Sequence, residues 1–185
     1  MEILARVNAL DLIILALLAA GMLTGWQQGL IRQLLGMAAF YVALVLGAQY
    51  HRLIGGWVMA IAPDAAWVAV DTLAFLFIFI VVLLTFTWVG RQVYADTHIP
   101  FFSALDGLAG ALFGVLAACL QVIIALSLVR FVLSVSWFEW ESTRQVILQV
   151  FRTSALEPIF TGAAPMLYVL IRPWLPSGLP ALLSF

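Results

Sequence analysis

Ser103 to Arg130, reading SALDGLAGALFGVLAACLQVIIALSLVR, is the stretch whose interpretation decides the fold. No charged residue lies between Asp106 and Arg130. As a helix rising about 1.5 Å per residue, that interval is roughly 34 Å long, enough to cross the hydrocarbon core of a bilayer. Asp106, Gly110, Gly114 and Ala118 recur every four residues and share one helical face, which Gly107 and Ala111 widen. Small residues at this spacing admit a neighbouring helix to backbone contact, the mode of association available where lipid removes the hydrophobic driving force. The stretch reads as the packing spine of a polytopic membrane protein.

Composition points the same way. The chain is 65% hydrophobic and 9% charged, with a mean hydropathy of +1.16, against roughly a quarter charged residues in soluble domains. A net charge of −1 gives no basic footprint for nucleic acid. The single cysteine, Cys119, excludes a disulfide framework and a cysteine metal site, and reads as a small buried apolar residue.

Working outward from the spine, three further uncharged windows run from Asp11 to Arg32, Gln33 to Tyr50 and Thr72 to Gly90. Thr24-Gly25-Trp26-Gln27-Gln28-Gly29 is read as a turn inside the first window. The expected fold is therefore all-α, with four transmembrane helices at about 10–24, 30–50, 69–90 and 104–133. Together they make a membrane domain over residues 1–136. A cleaved signal peptide over residues 1–25 competes with the first helix, but Glu2 offsets Arg6 and another span follows at once. Asn8-x-x-Asp11 and Ser103-x-x-Asp106 have capping-box spacing. Trp26, Trp57, Trp67, Trp88, Trp137, Trp140 and Trp174 fall at or beyond the span ends, as an aromatic belt would. Residues 137–185 form the tail: an amphipathic helix at the membrane surface over Trp137–Arg152, a surface-lying or re-entrant piece over Pro158–Ile171 interrupted by Pro165, and an irregular end.

Four crossings place the termini and the 49–68 loop on one side, and the Gly25–Gly29 turn and the 91–103 loop on the other. By depth, Arg32 then meets Asp106, and Arg130 meets Asp71; two ion pairs are expected, since a charge near hydrocarbon takes a partner. For Asp11 and Asp106, simple capping of their own helices is the competing reading. Asp71 is either an interfacial residue at a helix start or a polar group inside the membrane, suited to ion or proton movement.

The chain resembles the bacterial CvpA (colicin V production protein) family of four-helix inner-membrane proteins. The likeness rests on Asp11-Leu12-Ile13-Ile14, on Gly25-x-x-x-Gly29-Leu30-Ile31-Arg32-Gln33, on Asp106-x-x-x-Gly110-x-x-x-Gly114, and on Ser154-Ala155-Leu156-Glu157-Pro158. Gly107 stands where relatives commonly carry Arg, and Ala117-Ala118 where they carry Arg-Gly. Some relatives fuse this unit to an extracytoplasmic protease domain at the C-terminus, which implies that the tails lie outside the cytoplasm. The arginine count alone gives the opposite orientation, but the lost basic residues explain that conflict.

His51 and His98 fall on opposite sides of the membrane and cannot share a metal, and the sequence contains no HExxH, GxSxG or phosphate loop. No enzymatic activity, metal or cofactor is expected. The resemblance implies a non-enzymatic role in colicin V production and envelope maintenance. The alternatives are a small oligomeric transporter or channel lined by Asp71 and a membrane anchor whose tail binds a partner. Expected partners are membrane lipid and either a second copy of the chain or another membrane or envelope protein, with no nucleic acid. The residues expected to matter are Arg32, Asp71, Asp106, Gly110, Gly114 and Arg130, with Gly25 and Gly29 forming the helix turn.

Overall fold

The Asn8 side chain starts the first helix by accepting the backbone N–H groups of Leu10 and Asp11 at 2.9 and 3.1 Å, while the Asp11 carboxylate accepts Asn8 N–H at 3.0 Å. From this capping box, helix α1 runs over Ala9–Ile61. It is followed by α2 (Trp67–Val93), α3 (Ser103–Ser134), α4 (Glu141–Thr153), α5 (Glu157–Ile171) and a 3-10 turn at Arg172–Trp174. The structure, a computed structural model, describes residues 8–64, 66–93, 103–134 and 141–174. Trp137, Trp140, His98 and the irregular end after Trp174 lie outside the described residues.

Among the described residues, three elements are long and apolar enough to cross a membrane: Ala9–Ile61, Trp67–Gly90 and Ala104–Ser134. The first is a 53-residue element with one non-helical residue, Gly29, at φ 77° and ψ 173°. That conformation is open to glycine and costly for any residue with a Cβ. The expected turn over Thr24–Gly29 is thus corrected to a single residue. Thr24 stays helical because its hydroxyl donates to the Ala20 and Gly21 carbonyls at 2.8 and 3.1 Å, satisfying itself within the helix. The second arm is also longer than expected, ending at Ile61 and not near Tyr50.

Both arms of α1 leave Gly29 toward the same end of α3. Gly29 abuts Asp106, Gly25 abuts Gly110, and Gly21 abuts Gly114 and Ala118; further along, Ile14 packs on Val122 and Leu126. The second arm brings Phe40, Ala43, Leu44 and Ala48 to Ile123 and Ile124 of α3 and to Phe75 and Phe79 of α2. The arms therefore form a hairpin wrapped on α3, with α2 antiparallel to the second arm. Phe40 meets the Phe79 ring edge-on with centroids 5.4 Å apart, and Gly47 lies against Phe75.

The helix α5 overturns one expectation. It is neither surface-lying nor broken at Pro165: Ala164 and Leu167 are fully buried in the same cluster as Phe40, Phe75 and Ile123. Pro158 occupies the first turn, where a missing N–H removes no helical bond, and Pro165 lies on the exposed face. The helix α4 is amphipathic, and its Phe151 packs on the cluster of Ile14, Val122 and Leu126.

Exposure is inverted relative to a water-soluble protein. Leu12, Leu73, Phe77, Leu84, Leu108 and Leu112 are exposed, whereas Asp11, His51, Asp71, Thr72, Asp106, Ser154 and Glu157 are buried. Lipid, as the surrounding solvent, tolerates the first set and penalises exposure of the second.

Candidate functional site

Three arrangements hold the residues that the sequence singles out. The first is the glycine seam. A Cβ added to Gly110 would lie 2.3 Å from the Gly25 carbonyl oxygen, one on Gly25 would lie 2.2 Å from the Gly110 oxygen, and one on Gly114 would lie 2.2 Å from the Gly21 oxygen. The obstacles are backbone atoms, so the two helices touch main chain to main chain. Gly25 belongs to this seam and not to a turn. Gly21 completes a Gly21-x-x-x-Gly25-x-x-x-Gly29 stripe facing Gly114, Gly110 and Asp106; the same four-residue spacing that marked α3 was present in the first arm.

At the bend, the Asp106 carboxylate accepts Leu30 N–H at 2.9 Å and fills the space where a side chain on Gly29 would sit. Leu30 opens the second arm, where a backbone N–H has no helical partner. This is a cap supplied across the bundle, in place of the expected ion pair with Arg32. Arg32 is half-buried in a cleft with Gln28, Leu35, Phe86 and Thr87, and no ion pair joins it to Asp106 among the described residues. Asp106 is turned to Leu30 of α1, whereas Arg32 lies against Phe86 and Thr87 of α2.

The second arrangement is a polar clamp at the opposite end of the bundle. The N–H groups of the corner that leads into α5 find acceptors: Ala155 and Leu156 donate to Asp11 at 3.2 and 2.9 Å, Glu157 donates to Ser154 Oγ at 3.0 Å, and Pro158 has none to place. Ser154 Oγ in turn donates to Asp11 at 2.5 Å. With Asn8 N–H, the buried Asp11 carboxylate accepts four hydrogen bonds, two on each oxygen, which fills its lone-pair positions. Asn8 Nδ2 donates to the Val150 carbonyl at 2.6 Å and to Thr153 Oγ1 at 3.0 Å, holding the end of α4. Arg130, at the end of α3, donates to Glu157 at 2.5 Å. The expected Arg130–Asp71 pair is thereby corrected: the fold-back of α5 delivers Glu157 to Arg130.

The third arrangement is a buried acid–base pair. Asp71 lies one turn into α2 and faces His51 of α1, with Nε2 to Oδ1 at 3.3 Å; His51 is wholly buried and Asp71 nearly so. His51 Nδ1 lies 2.9 Å from the Ala48 carbonyl. A carbonyl only accepts, so Nδ1 carries the hydrogen and Nε2 is turned to the carboxylate. Nε2 and the neighbouring buried Thr72 Oγ1 make no hydrogen bond among the described residues. In the sequence His51 stands out only as a possible metal ligand; its spacing from Asp71 carries no signal because the two sit on different helices.

Cys119 is half-buried, less enclosed than expected. The described residues contain no group of three His, Cys, Asp or Glu side chains placed to hold a metal.

Among known proteins, the model of the family described as Colicin V production protein matches residues 10–165, most of the chain and every arrangement above except Asn8. No curated protein and no solved structure matches it.

Proposed function

Because the chain belongs to the Colicin V production protein family, we propose that it is a four-crossing protein of the bacterial inner membrane, each arm of α1 counting as one crossing, and that it acts without catalysis. It serves colicin V production and envelope maintenance through helix–helix and protein–protein contacts, with its tails outside the cytoplasm. One observation carries this reading: among the described residues, three buried carboxylates are hydrogen-bonded or ion-paired to another segment of the same chain, Asp11 to Ser154, Asp106 to Leu30 and Glu157 to Arg130, and the fourth, Asp71, faces His51 of a neighbouring helix. Acids spent on joining helices describe a rigid assembly unit better than a lined path.

A second reading has its own support. The His51–Asp71 pair, with the buried Thr72 next in sequence and its hydroxyl making no hydrogen bond among the described residues, is the kind of buried ionisable group that marks proton or ion movement in membranes. Proton and ion flux into vesicles reconstituted with wild type and with Asp71→Asn separates the two. No flux from either protein is the expected result, and flux that disappears with Asp71→Asn overturns the contact-based role. Alkaline phosphatase fused after Phe185 is expected to be active; an inactive fusion reverses the orientation.

A further inference from the structure

We propose that the cleft bounded by the end of α3, the helix α4 and the start of α5 is a binding site for one anionic phospholipid. The cleft has a volume of about 290 Å³ and is lined by Arg130, Arg152, Glu157, Leu133, Leu148 and Phe151, with Ser134 at its edge. Its polar rim carries two guanidinium groups against one carboxylate, and Glu157 is already committed to Arg130. A third guanidinium is close by, since Arg144 Nε donates to the carbonyl of the lining residue Leu133 at 2.8 Å. Arg130 keeps about half of its side chain exposed despite its ion pair. Arg152 is exposed, and no hydrogen bond or ion pair engages its side chain among the described residues.

The surroundings select among anions. Leu133, Leu148 and Phe151 give the cleft an apolar floor, and the same stretch of α3 presents exposed Val129 and Val132. A free phosphate ion uses the rim and gains nothing from the floor; a lipid uses both, with its phosphate on Arg152 and Arg130 and its acyl chains on the apolar faces. The position fits as well, because the cleft opens at the last turn of a membrane-crossing helix, where headgroups lie. The inference rests on the membrane-spanning reading of α3.

The test uses the full chain purified in a neutral detergent and titrated with short-chain phosphatidylglycerol, phosphatidylcholine or inorganic phosphate. Saturable binding of phosphatidylglycerol is expected, weakened about tenfold by Arg152→Gln, the scale of one lost charge-assisted contact. Leu148→Asn is expected to weaken lipid binding while leaving the rim charges intact. Equal binding of phosphatidylcholine, full competition by inorganic phosphate, or unchanged affinity in Arg152→Gln each overturns the site. Arg152 is exposed, so its replacement leaves no cavity; a monodisperse elution profile checks the fold. Alkaline carbonate extraction of native membranes separates the two layers of the argument. Release of the chain there refutes the membrane-spanning reading, whereas retention with undiscriminating lipid binding refutes this site alone.

Discussion

Replacing Gly110 with alanine adds one methyl group, and the geometry gives its consequence a sign and a size. The new Cβ would stand 2.3 Å from the Gly25 oxygen and 2.8 Å from the Gly29 carbonyl carbon, where ordinary contact begins at 3.4 Å. No rotamer change relieves a clash with main chain, so the first arm of α1 must move away from α3 by about 1 Å. A gap of that order forfeits roughly a quarter to a half of each dispersion contact along the seam. Over-packing of this kind costs about 1–3 kcal/mol. The control is internal. Gly36, Gly56 and Gly162 have nothing within 4 Å of an added Cβ, so alanine there gains helix propensity worth about 0.5–1 kcal/mol. Unfolding in mixed micelles, followed by circular dichroism, is expected to show Gly110→Ala and Gly114→Ala less stable than wild type and Gly36→Ala at least as stable. If Gly110→Ala and Gly36→Ala unfold alike, the two helices do not meet at their backbones and the seam is wrong.

Three other perturbations follow from the polar contacts. Asp11→Asn places an amide donor among four donors in a buried position, and is expected to cost about 1.5–3 kcal/mol and to expose the 153–156 corner to limited proteolysis before the rest of the bundle. Exchanging the charges of Arg130 and Glu157 together is expected to recover part of the stability that each single reversal loses, with a coupling of about 1 kcal/mol, because half of the Arg130 side chain is in contact with solvent. Gly29→Ala combines a positive φ with a Cβ 2.3 Å from Asp106 Oδ2; a loss of about 1–3 kcal/mol in the same micellar unfolding measurement is expected, and an unchanged midpoint there would remove the bend from that residue.

The four-residue recurrence of Asp106, Gly110 and Gly114 was legible because a small-residue stripe on an apolar helix has one physical use, close packing. The partner stripe, Gly21, Gly25 and Gly29, is equally visible in the sequence, but Thr24 to Gly29 also has the composition of a turn. In water, Thr24 and Gly25 favour helix termination, but in a low-dielectric setting the threonine hydroxyl returns to its own helix and the glycine serves the neighbour. The ion pairs failed for a different reason. Matching residues by depth fixes the position along the membrane normal and leaves the rotation of each helix open. Periodicity could not supply that rotation, because helices crossing lipid are apolar on every side and hydrophobic patterning no longer separates inside from outside. The same blindness hid α5: Ala164 and Leu167 look no more buried in the sequence than Met166 and Val169, which are exposed. What the sequence did carry, in Ser154-Ala155-Leu156-Glu157-Pro158, was a motif recognisable by likeness whose chemistry appeared only when Asp11 was found beside it.

That contact also bears on where the folding unit ends. The boundary expected at residue 136 divides four crossings from a tail, yet three of the four donors to Asp11 come from Ser154, Ala155 and Leu156, beyond it. A chain ending at Ser134 would leave a buried carboxylate with one hydrogen bond, strip Glu157 from Arg130, and remove Ala164 and Leu167 from the central cluster. A carboxylate stranded in this way costs several kcal/mol, comparable to the whole stability of a domain of this size. The truncated chain is therefore expected to be degraded, while a chain ending after Trp174 accumulates in membranes to wild-type levels. Truncating after Ser134 in an Asp11→Leu background sharpens the comparison. Leucine removes the stranded charge while leaving the other losses in place, so it should raise the amount of the short form without restoring it fully. If the two short forms are equally abundant, the carboxylate is not what binds the tail to the bundle, and the clamp is a consequence of the fold with no hold over it.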